Sequence, residues 1–190
     1  MCRFESFSVD PVSGAAELRV SRTSYRVFLG TNMAHPDLPA ERRANPVGVS
    51  TGLVTVDDCF LLGRRSGNVA YYPHKLHPFA GSLEPREPLD LFAEARRELH
   101  EELSLAADDI QDLSLLGLVE DLRLRHPELI LLARTTLARA EVERRLNPEE
   151  HAACWACPDT PDDLAAATRR DPGAFTPVGL AAIALRERAR

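Results

Sequence analysis

Three glutamates in one short segment are the residues of this chain most suited to catalysis. Glu98 is followed by Glu101 three residues later and by Glu102 four residues later, and these spacings place side chains on one face of an α-helix. Carboxylates held so close together repel each other, and a divalent cation would remove that repulsion. Clustered carboxylate oxygens suit Mg²⁺, a hard ion that commonly also binds substrate phosphates. The segment therefore predicts metal-assisted chemistry on a phosphate compound, unless Arg96 and Arg97 simply pair with the glutamates on a solvated helix face.

A helix is predicted to carry these acids. The run Leu91–Leu103 has apolar residues at steps of three and four, and Asp90 can cap its first turn. The predicted apolar face consists of Phe92, Ala95, Leu99 and Leu103. A glycine- and proline-containing loop over 66–90 leads into this helix, so the acids would lie close to that loop.

The elements around this helix predict an α/β fold. Runs of β-type residues alternate with helical patterns, which is typical of a mixed sheet with helices packed on its faces. Strands are expected at 47–56, 59–62, 114–122, 128–137 and 153–157, and further helices at 162–169 and 177–190.

The first 45 residues have a different character. β-type runs at 15–20 and 25–29 are followed by a polar stretch with three prolines over 33–46, which predicts a connecting loop. We expect residues 1–45 to form a β-rich extension that contributes to the substrate site, and residues 46–190 to form the main domain.

The acidic segment resembles the Nudix box, in which a glycine and a glutamate precede the pattern R-E-apolar-x-E-E-x-G-apolar. There are two departures: the first glutamate lies two residues further from the arginine than in the usual box, and Ser104 replaces the second glycine. The resemblance implies a Nudix-type α/β/α sandwich with a mixed central sheet. The matching residues are Gly81, Glu87, Arg97, Glu98, Leu99, Glu101, Glu102 and Leu105.

The resemblance also implies roles for these residues. In the superfamily the box glycine offers its carbonyl oxygen to a metal and the box glutamates offer carboxylates. Gly81, Glu98, Glu101 and Glu102 would accordingly hold Mg²⁺, with Mn²⁺ as a possible substitute. Glu98, or a glutamate from a loop, would act as base towards the attacking water. Arg97 would orient the glutamates through charge-assisted hydrogen bonds.

Four other segments resemble one branch of the superfamily, the enzymes that hydrolyse UDP-glucose and related UDP-sugars. The resemblance implies cleavage of the diphosphate bridge, which gives UMP and a sugar 1-phosphate. The four segments are TSYRVFLGTN at 23–32, NPVGVS at 45–50, Arg64-Arg65-Ser66, and FAGSLEP at 79–85.

These segments supply candidate substrate-binding residues. Arg64 and Arg65 would grip phosphate oxygens, and Tyr25 and Asn32 would contact the uracil or the ribose. The structural alternative is that the arginines are exposed charges at a strand end, that Tyr25 and Phe28 belong to the core, and that residues 30–32 form a turn.

Composition limits the partners. With a formal net charge of −6, the chain is unsuited to nonspecific nucleic-acid binding through a basic face. No apolar run approaches the roughly 18 residues that a membrane span needs, and no secretory signal pattern is visible. We expect a cytoplasmic protein that binds a small nucleotide-sugar, with its oligomeric state left open.

A second motif invites a metal or redox interpretation. His151, Cys154 and Cys157 form an H-x-x-C-x-x-C pattern. A structural zinc site needs four ligands, and a redox C-x-x-C normally opens a helix, whereas this pattern lies in a short β-type run. We therefore expect the two cysteines to pack in the core.

Other functions stay open at this stage. A hydrolase of another nucleoside diphosphate derivative, such as ADP-ribose, fits the same box. A nucleotide-binding sensor without hydrolysis would not need three crowded acids. An isomerase on the same fold is disfavoured because no candidate cysteine lies near the box.

Overall fold

A mixed seven-stranded sheet forms the centre of the computed structural model, which describes residues 1–189. The nine strands within residues 1–189 are β1 Cys2–Val9, β2 Ala16–Arg22, β3 Gly48–Val54, β4 Cys59–Arg65, β5 Leu76–His77, β6 Phe79–Ser82, β7 Ile110–Asp121, β8 His126–Thr135 and β9 His151–Pro158. The α-helices are α1 Tyr25–Phe28, α2 Leu91–Leu103, α3 Arg139–Arg145, α4 Pro161–Arg170 and α5 Pro177–Arg188.

The sheet is organised around β3. This strand runs parallel to β8 and antiparallel to both β4 and β6, and all of its residues are buried. The main path of the sheet is β5-β4-β3-β8-β7, while β9 pairs with β4. Because β6 and β8 flank β3 at the same residues, Gly48 lies beside both Ser82 and Glu128.

Helices cover both faces of the sheet. Successive side chains of a strand point to opposite faces, so Leu53 packs towards α2 and α3 while Val54 packs towards α4 and α5. The predicted α/β/α sandwich is therefore confirmed. One core cluster contains Leu53, Leu61, Phe79, Leu99, Leu103, Ala133 and Val142. The other contains Val54, Phe60, Leu62, Leu132, Leu164, Phe175 and Ile183.

Helix α2 begins and ends where the sequence indicates. The Asp90 carboxylate accepts hydrogen bonds from the backbone N–H groups of Phe92 and Ala93, at 2.9 and 3.0 Å. The helix ends at Leu103 and is capped by Ser104, which adopts a left-handed conformation with φ of 53° despite its Cβ. Phe92 was wrongly predicted as core: it lies in the first turn and is 39% exposed.

Two predictions of local structure are wrong. Residues 25–29 are helical rather than extended, because the Ser24 hydroxyl caps α1 by accepting from the Val27 N–H at 3.3 Å. A π-helical turn, Leu29–Met33, continues it. The expected loop over 66–90 contains β5 and β6, whose backbone groups are satisfied by β4 and β3.

The N-terminal segment packs against the sandwich. Strands β1 and β2 form a separate two-stranded antiparallel sheet. The Cys2 N–H donates to the Leu83 carbonyl at 2.7 Å, and the Val47 N–H donates to the Cys2 carbonyl at 2.9 Å. Cys2 is buried in a core cluster with Val47 and Leu83. Residues 1–45 thus share part of their core with the sandwich and are β-rich only up to β2.

The two cysteines of β9 pack in the core, as expected. Cys157 is buried in one core cluster, and the partly buried Cys154 packs against the opposite cluster. No helix among residues 1–189 is long and apolar enough to cross a membrane. The last helix ends at Arg188, and its predicted end at Arg190 lies outside the described residues.

The contribution of α2 to the core is testable with a pair of variants. Leu99 is completely buried, so Leu99→Ala should lower the free energy of unfolding by roughly 2–5 kcal/mol. Phe92→Ala, on the same helix but partly exposed, should cost less than about 1 kcal/mol. Urea denaturation measures both, and equal losses would contradict the placement of α2.

Candidate active site

A cavity of about 160 Å³ lies between the start of β3, strand β6 and the carboxyl-terminal half of α2. Three glutamates, Arg65 and three histidines border it, and we call the part next to α2 and β6, which Glu102 borders, its acidic side. We call the whole cavity the polar cavity. It is bordered by Gly48, Arg65, Val69, Tyr71, His77, Ala80, Gly81, Ser82, Glu102, His126, Glu128, Glu150 and His151.

The acidic side is formed by two buried glutamates beside β6. The Glu98 carboxylate rests directly against Gly81, where a methyl group would overlap it. The Glu102 carboxylate accepts from the Ala80 N–H at 3.2 Å. Burial raises the pKa of Glu98 to about 7 and also raises the pKa of Glu102. Both shifts have the same main cause, the loss of water around a negative charge.

Arg97 joins the glutamates of α2. Its guanidinium donates to Glu94 and Glu98, and to Glu101 at 2.6 Å. These partners raise the pKa of Arg97. Glu94 is buried, so it does not belong to a solvated helix face. Glu101 is 54% exposed and reaches the buried acids only through Arg97.

Glycines make room for the polar side chains of the cavity. A Cβ at Gly63 would overlap the His151 ring, and a Cβ at Gly48 would approach the Glu128 side chain to 2.6 Å. Together with Gly81, these residues allow polar side chains to lie against the sheet backbone. The requirement for glycine at these positions thus comes from the site and not from turn geometry.

Glu128 is held between two histidines. Its Oε1 lies 3.4 Å from His126 Nδ1, its Oε2 lies 3.6 Å from His77 Nε2, and the Ser50 hydroxyl donates to it. His77 Nδ1 is 2.8 Å from the Thr176 hydroxyl. Burial raises the pKa of Glu128 to about 7 and lowers that of His126 to about 4, so the cluster carries less charge than its composition suggests.

His151 also belongs to the site. Its Nε2 lies 3.1 Å from the Glu102 carboxylate, and its ring contacts Phe79 with a centroid separation of 5.4 Å. No role in this site was predicted for His77, His126, Glu128 or His151. One signal was available: His126 and Glu128 lie two residues apart at the start of a largely apolar strand, and so share a face.

Only one of the two candidate phosphate-binding arginines borders the polar cavity. Arg65 borders the polar cavity, and its Cζ lies 4.9 Å from the centroid of the Tyr71 ring. Its Nε is buried and has no hydrogen-bond partner among residues 1–189. Arg64, next to it on β4, does not border the polar cavity and donates to the His74 carbonyl at 3.0 Å. The structure brings Arg65 to the site and not Arg64.

Asn32 borders a separate cavity beside Tyr71 and Tyr72, whereas Tyr25 borders neither that cavity nor the polar cavity. Asn32 is buried, and its amide nitrogen donates to the carbonyls of Leu124 and Arg125, at 2.8 and 3.1 Å. Its oxygen accepts from the Ala44 N–H at 2.9 Å. The Asn32 amide therefore links its own segment to Ala44 and to residues 124–125. Tyr25 is half-exposed and packs on Phe28, outside the polar cavity.

The acidic side fits a hard divalent cation. Glu98 and Glu102 place carboxylates at Gly81 and Ala80, next to each other on β6. Oxygen donors of this kind suit Mg²⁺ or Mn²⁺. Among residues 1–189, no three His, Cys, Asp or Glu side chains already surround a common point as metal ligands would. Arg97 instead supplies the positive charge to Glu98.

Glu128 provides a pH test of this electrostatic description. Its pKa of about 7 lies above the ordinary 4.5, so the folded protein holds a proton that the unfolded chain loses between these pH values. Its contribution to stability therefore decreases as the pH rises through that window. The pKa values of His77 and His126 are lowered, so these two groups make a contribution to stability that increases with pH. That contribution is present in the wild type and in a Glu128→Gln variant alike.

Glu128→Gln removes this titration. The free energy of unfolding of the variant minus that of wild type should increase by roughly 1–3 kcal/mol as the pH rises from 4.5 to 7. Urea denaturation at several pH values measures the difference, with the exposed Glu149→Gln as control. A difference that does not change with pH would contradict a buried Glu128 with a raised pKa.

One curated relative is similar to part of the chain. No protein-family model matches the chain. The relative, uridine diphosphate glucose pyrophosphatase NUDT22 of Bos taurus, is 36% identical over 81 residues, which cover 36% of this chain and 28% of the relative. The chain therefore spans less than a third of the length of that relative.

Solved structures are similar over most of the chain. An ADP compounds hydrolase has a TM-score of 0.56 at 18% identity, covering 94% of this chain and 80% of its own. The MutT protein from Methanosarcina mazei Go1 has a TM-score of 0.55 at 18% identity, covering 76% and 94%. A NUDIX hydrolase from Nitrosomonas europaea has a TM-score of 0.53 at 18% identity, covering 76% and 89%. With the box residues clustered on α2 and β6, this similarity establishes that the chain has the fold of the Nudix hydrolases.

Proposed function

We propose that this protein hydrolyses the diphosphate bridge of a UDP-sugar such as UDP-glucose, with the help of Mg²⁺. The observation that carries the proposal is that two buried carboxylates of α2, Glu98 and Glu102, lie beside β6 while Arg65 borders the same cavity as Glu102. A metal–diphosphate complex needs both: carboxylates for the cation and cations for the phosphate oxygens. The similarity to a uridine diphosphate glucose pyrophosphatase supports UDP-glucose as the substrate.

The residues divide into three roles in this proposal. Gly81, Glu98 and Glu102 hold the metal, and Glu101 contributes through Arg97, which fixes the glutamates. The Arg65 guanidinium, which borders the polar cavity, binds phosphate oxygens there. The bound metal would offset phosphate charge and polarise the phosphorus for attack.

The chemical step is a hydrolysis. A water oxygen forms a bond to one phosphorus, the bond from that phosphorus to the bridging oxygen breaks, and UMP and a sugar 1-phosphate leave. In this proposal the Glu98 carboxylate, which lies against Gly81 at the border of the polar cavity, takes the proton from the water. We place this activity in the cytoplasm, where the four free cysteines would stay reduced.

Glu102 tests the metal assignment. Glu102→Gln keeps the shape of the side chain and removes the anionic oxygen, so kcat/KM for UDP-glucose should fall at least about 100-fold. Thermal unfolding should remain close to wild type, because the neutral amide is easier to bury. The exposed Glu149→Gln is the matched control. Near-wild-type activity in Glu102→Gln would remove the metal site from the proposal.

A nucleotide panel tests the substrate. Chelator-treated protein should be inactive, and added Mg²⁺ should restore release of UMP from UDP-glucose, followed by chromatography. ADP-ribose should be cleaved at least about tenfold more slowly. Preferred cleavage of ADP-ribose would replace UDP-sugar by another nucleoside diphosphate derivative. Binding of nucleotide with no cleavage at any metal concentration would instead indicate a sensor.

A further inference from the structure

A second, larger cavity adjoins the polar cavity. Its volume is about 590 Å³, within the roughly 300–1,000 Å³ typical of small-molecule sites. Tyr71 borders both cavities, so one molecule could extend from one into the other. We call it the tyrosine cavity. Its walls include Met33, Tyr71, Tyr72, Lys75, Arg123 and Leu124.

Two tyrosines form a fixed aromatic corner in this cavity. The rings of Tyr71 and Tyr72 have centroids 6.0 Å apart and planes at 82°. Arg123 Cζ lies 5.7 Å from the Tyr72 ring centroid, and the Tyr72 hydroxyl bonds to Asp121. Tyr72 also has a φ of 51°, a left-handed conformation that is unusual for a bulky residue. Such strained residues concentrate at functional sites.

The charged side chains that border the tyrosine cavity itself can only donate hydrogen bonds. Lys75 and Arg123 carry donors alone, and Lys75 keeps further donors beyond the one it gives to the Gly173 carbonyl. Among the described residues that border the tyrosine cavity, none is Asp or Glu. A ligand for this cavity should therefore combine a flat ring with carbonyl oxygens on its edge.

We propose that the tyrosine cavity binds the uracil of the substrate, with Tyr72 stacking on the base and Lys75 and Arg123 donating to its two carbonyl oxygens. Aromatic side chains and arginine planes commonly stack on unpaired bases. Cytosine, which replaces one carbonyl oxygen by an amino donor, would face a donor and bind less well. This inference rests on the proposed function, because the diphosphate must occupy the polar cavity.

Direct binding tests the cavity without turnover. Isothermal titration calorimetry of the full chain should show UMP binding at least about tenfold tighter than CMP. Tyr72→Ala should weaken UMP binding by about tenfold or more, and Lys75→Met should reduce the preference for UMP. Leu122→Ala, 72% exposed beside Arg123, should bind as wild type. Equal binding of UMP and CMP, or no effect of Tyr72→Ala, would overturn the proposal.

Two further measurements on the wild-type protein do not depend on a variant that folds. Lys75 is the only lysine in the chain, so reductive methylation followed by peptide mass spectrometry reports on it specifically. UMP should slow its modification several-fold and CMP much less, and no protection by UMP would overturn the proposal. Inorganic phosphate that displaces UMP and protects Lys75 equally well would reveal an anion site instead, and would also overturn it.

Kinetics separate this inference from the proposed function. In Tyr72→Ala the KM for UDP-glucose should rise about tenfold with kcat near wild type, as expected when uniform binding is lost. If wild type cleaves UDP-glucose and this variant has an unchanged KM, the uracil site is wrong and the hydrolase stands. If wild type cleaves no nucleotide-sugar but still binds UMP through Tyr72, the hydrolase is wrong and the uracil site stands.

Discussion

The site depends on two carboxylates that the fold removes from water beside a single strand. Burying a charged carboxylate is costly unless a cation or hydrogen-bond donors compensate it. Glu98 has Arg97, and Glu102 has the Ala80 N–H and the neighbouring His151. The raised pKa values of both glutamates show that this compensation is incomplete. A divalent cation would complete it, which couples metal binding to the same residues that perform the proposed chemistry.

The sheet makes this arrangement possible because it brings polar groups from distant parts of the sequence together near the beginning of β3. Strands β6 and β8 both pair with the first residues of β3, so Glu128 lies close to the strand that carries Gly81. Strand β9 pairs with β4 and places His151 over Gly63. Glycine at Gly48, Gly63 and Gly81 leaves space that three polar side chains fill. The cavity is thus a product of strand register as much as of the acidic helix.

Features with local causes could be predicted from the sequence, and features set by packing could not. Helix α2 was predictable because its periodicity and its Asp90 cap lie within one segment. His151 was missed because only the pairing of β9 with β4 brings it to Glu102, about fifty residues away in sequence. Asn32 has the residue type of a binding side chain, and only the packing shows that its amide also joins the turn after α1 to residues 44 and 124–125. Arg64 and Arg65 look equivalent in sequence, but in the structure only Arg65 borders the polar cavity, while Arg64 binds the His74 carbonyl.

The most direct test of this account is an anomalous diffraction map recorded at the manganese edge, from crystals grown with Mn²⁺ and a non-hydrolysable UDP-sugar. The account predicts a manganese peak roughly 2.0–2.3 Å from carboxylate oxygens of Glu98 and Glu102, with the diphosphate between that ion and Arg65. A map in which the ion binds elsewhere while Glu98 remains paired with Arg97 would contradict it.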